Sequence, residues 1–177
     1  VADAPIVLLP SGRTDSGVHA CHQVIHFDSK AIRSGDNWVN GANSHLPNTI
    51  SLNWANEISQ EFHARFSATS RTYRYLMART NTRPGILSNA VTWVRYPLDT
   101  TAMSEACRYL IGERDYSAFR GSGCQSMSSF RNVSKAVIYD IGELIVFEIT
   151  ANAFLLHMVR NIVGALLEIG RGKRKPE

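Results

Sequence analysis

"SKAVIYDIGELIVFEIT", residues 134–150, is the stretch on which the fold turns. Two runs rich in β-branched and aromatic side chains flank Asp140-Ile141-Gly142-Glu143, a sequence suited to a tight turn, and together they read as two strands joined in a hairpin. A hairpin makes neighbouring strands antiparallel. Upstream, "RTYRYLMAR" (71–79) alternates: Arg71, Tyr73, Tyr75 and Met77 fall on one face, Thr72, Arg74, Leu76 and Ala78 on the other. "VTWVRYPLD" (91–99) gives another strand, and "TTAMSEACRYLIG" (100–112) a helix, with Met103, Ala106, Cys107, Leu110 and Ile111 at helical spacing and Gly112 as its stop. Downstream, "AFLLHMVRNIVGALLEIG" (153–170) reads as a helix apolar over most of its circumference, ended by Gly170 and followed by a basic tail. Such a helix is expected to be buried.

The first third of the chain is more broken. "PIVLL" (5–9) is a strand closed by Pro10, Ser11 and Gly12, and "QVIHFDS" (23–29) resumes an extended pattern. "DNWVNGANSHLP" (36–47) reads as a short helix with Asp36 as N-cap and Pro47 as its end. In "TISLNWANEI" (49–58), Ile50, Leu52 and Trp54 alternate with Ser51, Asn53 and Ala55, as in a half-exposed strand. Strands adjoin strands and the helices are few and interspersed. The expectation is an α+β fold: a mixed, mainly antiparallel sheet with flanking helices.

Composition narrows the functional classes. At 177 residues, 44% hydrophobic and 19% charged, the chain suits one soluble domain or two small lobes sharing a core. Cys21, Cys107 and Cys124 are odd in number, widely spaced and without a CxxC, which argues against a disulfide framework or a four-cysteine zinc site and for a reducing setting. No apolar run of about 18 residues and no signal-peptide pattern occur, so neither membrane nor export is expected. The chain opens on Val1 and stops at "GRGKRKPE" directly after an apolar segment, as a piece cut from a longer protein would. Net charge is +4, with fifteen arginines against four lysines. Arginine's planar fork holds phosphates bidentately and stacks on bases, so the bias leans toward nucleic acid. The plainer alternative is a mildly basic enzyme with solvated arginines.

Several residues carry candidate chemistry. Arg160, in "LLHMVRNIVG", shares its helical face with Leu156, His157, Gly164 and Leu167. A guanidinium keeps its charge, so if buried it requires a carboxylate or phosphate; the alternative is that it emerges at the helix edge and reaches water. Asp15, in "SGRTDSGVHA" (11–20), is the natural partner, with Gly12 and Gly17 shaping a tight loop, although its own letters equally suit an Asx-turn. "VHACHQVIH" clusters His19, Cys21, His22 and His26, but His22 and His26 on one strand lie too far apart to share an ion, so solvent-facing histidines are expected rather than a metal site. "FRGSGCQS" (119–126) has glycines beside an arginine and could touch phosphate, yet lacks the GK[ST] of a nucleotide-binding loop. From "FHARFSATSRTYRY" to "RTNTRPG", Arg65, Arg71, Arg74, Arg79 and Arg83 interleave with Phe62, Phe66, Tyr73 and Tyr75. Cations for phosphates beside aromatics for bases suit single-stranded or extruded nucleotides; the alternative is an amphipathic strand with ordinary core aromatics.

"GRTDSGVHA", "FHARFSATSRTYRY", "DYSAFRGSGCQS" and "ANAFLLHMVRNIVGALLEIG" follow one another in the order of the motifs of the tRNA pseudouridine synthase A family, which the chain resembles from about residue 1 to residue 172. The resemblance implies a catalytic aspartate at Asp15 with the motif arginine at Arg13, a uracil-stacking tyrosine at Tyr73, and an aspartate-pairing arginine at Arg160. It implies isomerisation of uridine to pseudouridine in the anticodon stem-loop of tRNA, with no cofactor and no metal, by a cytoplasmic homodimer whose tRNA spans both subunits. Arg71, Arg74, Arg79 and Arg120 would then hold phosphates, with an affinity that falls steeply with salt. It further implies an N-terminal lobe over about 1–66 and a C-terminal lobe over 67–177, with a Y-D-G-x-x-Y-x-G-W-Q strand before residue 1 and a sheet-and-pocket segment after residue 172. The competing reading is a non-catalytic RNA-binding fragment.

Overall fold

The computed structural model describes residues 1–177, in two units, Val1–Ala68 and Thr69–Glu177. In the first, β1 (Leu9–Pro10) and β2 (Ile25–His26) pair antiparallel with Leu9 opposite His26. Of the strand expected at 5–9 only Leu9 is paired, together with Pro10 beyond it, and the extended run 23–29 is cut to Ile25 and His26. Helix α1 (Gly35–Asn43) is capped by Ser34, whose hydroxyl accepts the Asn37 amide at 3.3 Å, so Asp36 lies in the first turn instead of at the cap. There its charge still complements the positive end of the helix. The helix stops before Pro47, the Ser44 amide bonding back to the Asn40 carbonyl at 3.1 Å. Gly35 is required by close approach, since a Cβ would run into the Ala55 carbonyl oxygen.

Residues 49–58 belong to no strand, contrary to their alternation. The Asn43 side chain takes the neighbouring strand's place: its Oδ1 accepts the Leu52 amide at 2.7 Å and its Nδ2 donates to the Leu52 carbonyl at 2.9 Å. With one residue satisfied and no ladder beside it, Ile50 and Trp54 stay more than half exposed. Ala64 is the sole buried hydrophobic residue of this unit, which is held largely by hydrogen bonds and by ring contacts such as Phe27 against Trp38 at 5.1 Å.

The second unit holds the core. Its strands are β3 (Arg71–Ala78), β4 (Thr92–Trp93), β5 (Gly112–Asp115), β6 (Phe130–Ile141) and β7 (Leu144–Ala151), ordered β4-β3-β7-β6-β5. All neighbours are antiparallel except β3 and β4, so the sheet is mixed and mainly antiparallel. The hairpin at 134–150 is present and its turn is tighter than its letters suggest. Ile141 faces Leu144 across a two-residue loop, with Gly142 at φ +58°, the left-handed conformation such turns demand.

Helix α2 (Thr100–Arg108) is capped by Asp99, which accepts the Ala102 amide at 2.9 Å. It ends before Leu110 and Ile111, and Gly112, at φ +94°, opens β5. Helix α3 spans Met158–Gly170, five residues shorter at its start than the apolar run. His157 sits at φ +59°, and a left-handed residue cannot continue a right-handed helix. The helix is also buried on one face only: Met158, Ile162, Val163, Leu166, Ile169 and Gly170 are buried, while Arg160, Asn161 and Gly164 are exposed. Met77, Ile145, Phe147 and Ile149 from the sheet join Met103, Met158, Ile162 and Leu166 from the helices in one cluster. No helix is long and apolar enough to cross a membrane.

Candidate active site

Asp15 stands in the loop that joins β1 to β2. That loop is closed at its neck: the Ser11 amide donates to the Val24 carbonyl at 2.8 Å, the Ser11 hydroxyl to Gln23 Oε1 at 2.6 Å, and Gln23 Nε2 to the Gly12 carbonyl at 2.7 Å. At its tip the Val18 amide donates to the Asp15 carbonyl at 3.0 Å, with Gly17 at φ +80° in the third position, as a type II turn requires. The turn is therefore built from main chain, and the half-buried Asp15 carboxylate is not what closes it. Gly12 has no atom within 4 Å of a Cβ position and no positive φ, so only Gly17 is demanded by conformation. Arg13 is exposed on the same loop. Gln23 escaped sequence reasoning, because nothing in its neighbours announces a clasp across 11 residues.

Tyr73 lies on β3, opposite Ile149 of β7, and its ring meets Phe154 edge-on at 4.9 Å and 88°. Strand alternation turns it to the helix side with Tyr75 and Met77, as the pattern predicts. Arg71, two residues earlier on that side, donates to the Asn152 carbonyl at 3.0 Å. Arg160 occupies the first turn of α3, on its exposed face; of the two readings left open for it, emergence at the helix edge agrees with this position, because the buried stripe runs along the other side of the helix.

The remaining arginines differ in kind. Arg79 reaches Asp140 at 3.5 Å, an exposed pair of little energetic weight. Arg120 donates from Nη2 to the carbonyls of Cys124 and Ser126 at 2.7 and 2.8 Å, folding the glycine-rich loop upon itself. His19 and His22 are exposed, whereas His26 is half-buried, its Nδ1 accepting the Ala64 amide at 3.1 Å and its ring packing on His63 at 4.6 Å. His26 is thus a packing residue, and no group of three or more His, Cys, Asp or Glu side chains is gathered for a metal ion.

Against known proteins, a family model described as tRNA pseudouridine synthase matches residues 106–177. A protein named tRNA pseudouridine synthase A from Dechloromonas aromatica is 48% identical over all 177 residues, which cover 68% of that protein. Its namesake from Coxiella burnetii is 50% identical over the same span and coverage, and that from Shewanella amazonensis 52% identical over 174 residues, or 98% of this chain and 67% of the relative. The chain belongs to the tRNA pseudouridine synthase A family.

Within this synthase, one ion-pair network was invisible in the sequence. Glu148 of β7 is 6% exposed, yet it accepts Lys135 Nζ at 2.6 Å, Arg74 Nε at 2.6 Å and the Tyr139 hydroxyl at 3.2 Å. Arg74 therefore has a carboxylate partner within the sheet, on the face away from Tyr73. Hydrogen bonds from Lys135 first and Arg74 next pull the Glu148 carboxyl down from 4.5 to about 2. A carboxyl lowered by folding stabilises the folded state above its unfolded value and loses that contribution as pH falls through its folded value. Glu148→Gln is accordingly expected to remove part of the acid-induced loss of stability between pH 4.5 and about 2. Urea unfolding at stepped pH reads this directly; an acid limb identical in the two proteins would show that the network contributes nothing.

Proposed function

We propose that the chain isomerises uridine to pseudouridine in tRNA, with Asp15 as the reacting carboxylate. The observation that carries the reading is identity near one half to tRNA pseudouridine synthases A along the whole chain. The chemistry asked of the protein is to break the N1 to C1′ bond, turn the uracil without losing it, and rejoin it through C5. A carboxylate serves this either as a nucleophile on the sugar or the base, or as a base in a glycal route. Asp15, projecting from a loop whose shape is set by Gln23 and Gly17, is held without having to hold the loop.

In this reading Tyr73 stacks on the extruded uracil and takes the C5 proton late in the reaction. The edge-on ring of Phe154 supports that role, since it limits how the Tyr73 ring can turn. Arg160 pairs with Asp15, and an arginine beside a carboxylate favours its ionised form. Exposure of Arg160 suits a group that meets an anion from outside its own helix. Arg13, Arg71, Arg74, Arg79 and Arg120 contribute to phosphate contact. The anticodon stem-loop as the target, a cytoplasmic homodimer as the working form, and independence of metal and cofactor belong to the same proposal, on the strength of the family resemblance.

The test is tritium release from C5-labelled uridine in tRNA by the 177-residue chain, in buffer containing excess chelator. Release that saturates at a fixed number of sites per tRNA is expected. Binding of tRNA without any release would make the chain an RNA-binding fragment instead.

A further inference from the structure

Residues 116–139 contain Arg120, Arg131 and Lys135 and no aspartate or glutamate. Lys135 is paired with Glu148, but neither Arg120 nor Arg131 has a carboxylate partner. Arg131 is only 8% exposed. Its Nη1 donates to the carbonyls of Ser128 and Phe130 at 3.0 and 2.5 Å, its Nη2 to the Ser126 hydroxyl at 2.6 Å, and its buried Nε has no partner. Carbonyl dipoles orient a guanidinium without cancelling its charge, and a buried charge without a counter-ion is costly. Burial lowers the Arg131 pKa, the nearby Cys124 raises it, and the positive charge of Arg120 lowers it further.

Within the chain, the one group able to answer these charges is the Cys124 thiol. Hydrogen bonds from the backbone amides of Leu156 and then Ser126 lower its pKa, and Arg120 adds to this. Even a full thiolate supplies one negative charge for two positive ones. The same loop lies against the entry to α3: the Gly121 amide donates to the Leu156 carbonyl at 2.8 Å, and Asn161 Nδ2 to the Phe119 carbonyl at 3.0 Å. Gly121 is obligatory there, since a Cβ would sit 2.9 Å from both the Leu156 oxygen and His157 Nδ1. The loop thus lies at the N-terminal, positive end of α3, which adds to the field.

We propose that segment 120–131 is a phosphodiester-binding loop, in which Arg120 contacts a backbone phosphate of the bound RNA and buried Arg131 supplies the uncompensated charge behind it. The inference rests on the RNA-modifying reading above. An extended polyanion fits better than a mononucleotide, because the loop is open, with Met127 fully exposed at its crest.

The experiment measures tRNA affinity against salt concentration for the chain and three variants. Each lost phosphate contact flattens the logarithmic slope by roughly 0.9, which is expected of Arg120→Gln; Arg131→Met, which removes the charge behind that contact, is expected to flatten the slope in the same direction. Arg131→Lys keeps the charge but replaces the planar fork, whose two nitrogens share these acceptors, with a single nitrogen, and is expected to retain the slope. A purely structural brace would leave Arg131→Lys as impaired as Arg131→Met, and that result, or an unchanged slope in Arg120→Gln, overturns the proposal. Should Arg131→Met fail to fold, the Cys124 thiol still reports: tRNA is expected to slow its alkylation by iodoacetamide several-fold in the unsubstituted chain. Alkylation indifferent to tRNA, or slowed equally by millimolar inorganic phosphate, also overturns it. Affinity is read independently of turnover, so failure of tritium release with intact slopes would sink the isomerase reading and leave this one standing.

Discussion

Asp15→Ala is expected to release tritium from C5-labelled uridine in tRNA at about one ten-thousandth of the unsubstituted rate or less, while still binding tRNA. Removal of a group that reacts covalently or transfers a proton in every turnover costs on the order of 10⁴-fold or more, about 5.5 kcal/mol of barrier. The structure allows such an effect to be read as chemistry. The turn closes through the Asp15 carbonyl, Gly17 supplies the left-handed corner, and Gln23 locks the neck, so none of these contacts is lost with the side chain. Asp15→Asn, which keeps the shape and removes the charge, is expected to fall as far. A residual rate within tenfold of the original in either variant would end the assignment of Asp15 as the reacting group.

The contrast between Asp15 and its surroundings shows what a sequence exposes to reading. The hairpin was legible because β-branched runs on both sides of Asp140 to Glu143 carry their period in the letters, and the antiparallel β6 and β7 follow from it. The start of α3 was not legible. The apolar run continues through residues 153–157, and only the left-handed φ of His157, which no periodicity encodes, halts the helix. Strand β5, Gly112 to Asp115, offers "GERD", an edge segment with no apolar alternation at all. The opposite error arose at 49–58, where alternation is present but the partner is the Asn43 side chain rather than a strand.

The candidate site divides in the same way. Tyr73 was readable because alternation along one strand fixes which side a ring faces. For Arg160 the letters left both burial and emergence at the helix edge open, because counting apolar neighbours around a helix cannot say which stripe meets the sheet. Glu148 gave no signal, since its meaning lies in Arg74, 74 residues earlier. Likewise, the lack of acids near Arg131 was visible in the letters, but its burial was not.

Phe147→Ala is expected to lower unfolding free energy by about 3–5 kcal/mol. Phe147 is 0% exposed, on the central strand β7, opposite Tyr75 of β3 on one side and Ile138 of β6 on the other. Its ring belongs to the cluster that seats α2 and α3 on the sheet, so truncation removes apolar burial and leaves a cavity that strands fixed on both sides cannot close. Domains are typically stable by about 5–15 kcal/mol, which makes this a large share of the total. Phe147→Leu leaves a smaller void and is expected to cost about 1–2 kcal/mol. Urea unfolding followed by circular dichroism measures both. At temperatures where the alanine variant remains folded, tRNA binding is expected to persist, because Phe147 bears no charge and faces the helices. A cost below about 1 kcal/mol would mean that the sheet and the two helices are not joined through this ring, and that α3, with Arg160 in its first turn, is held by something else.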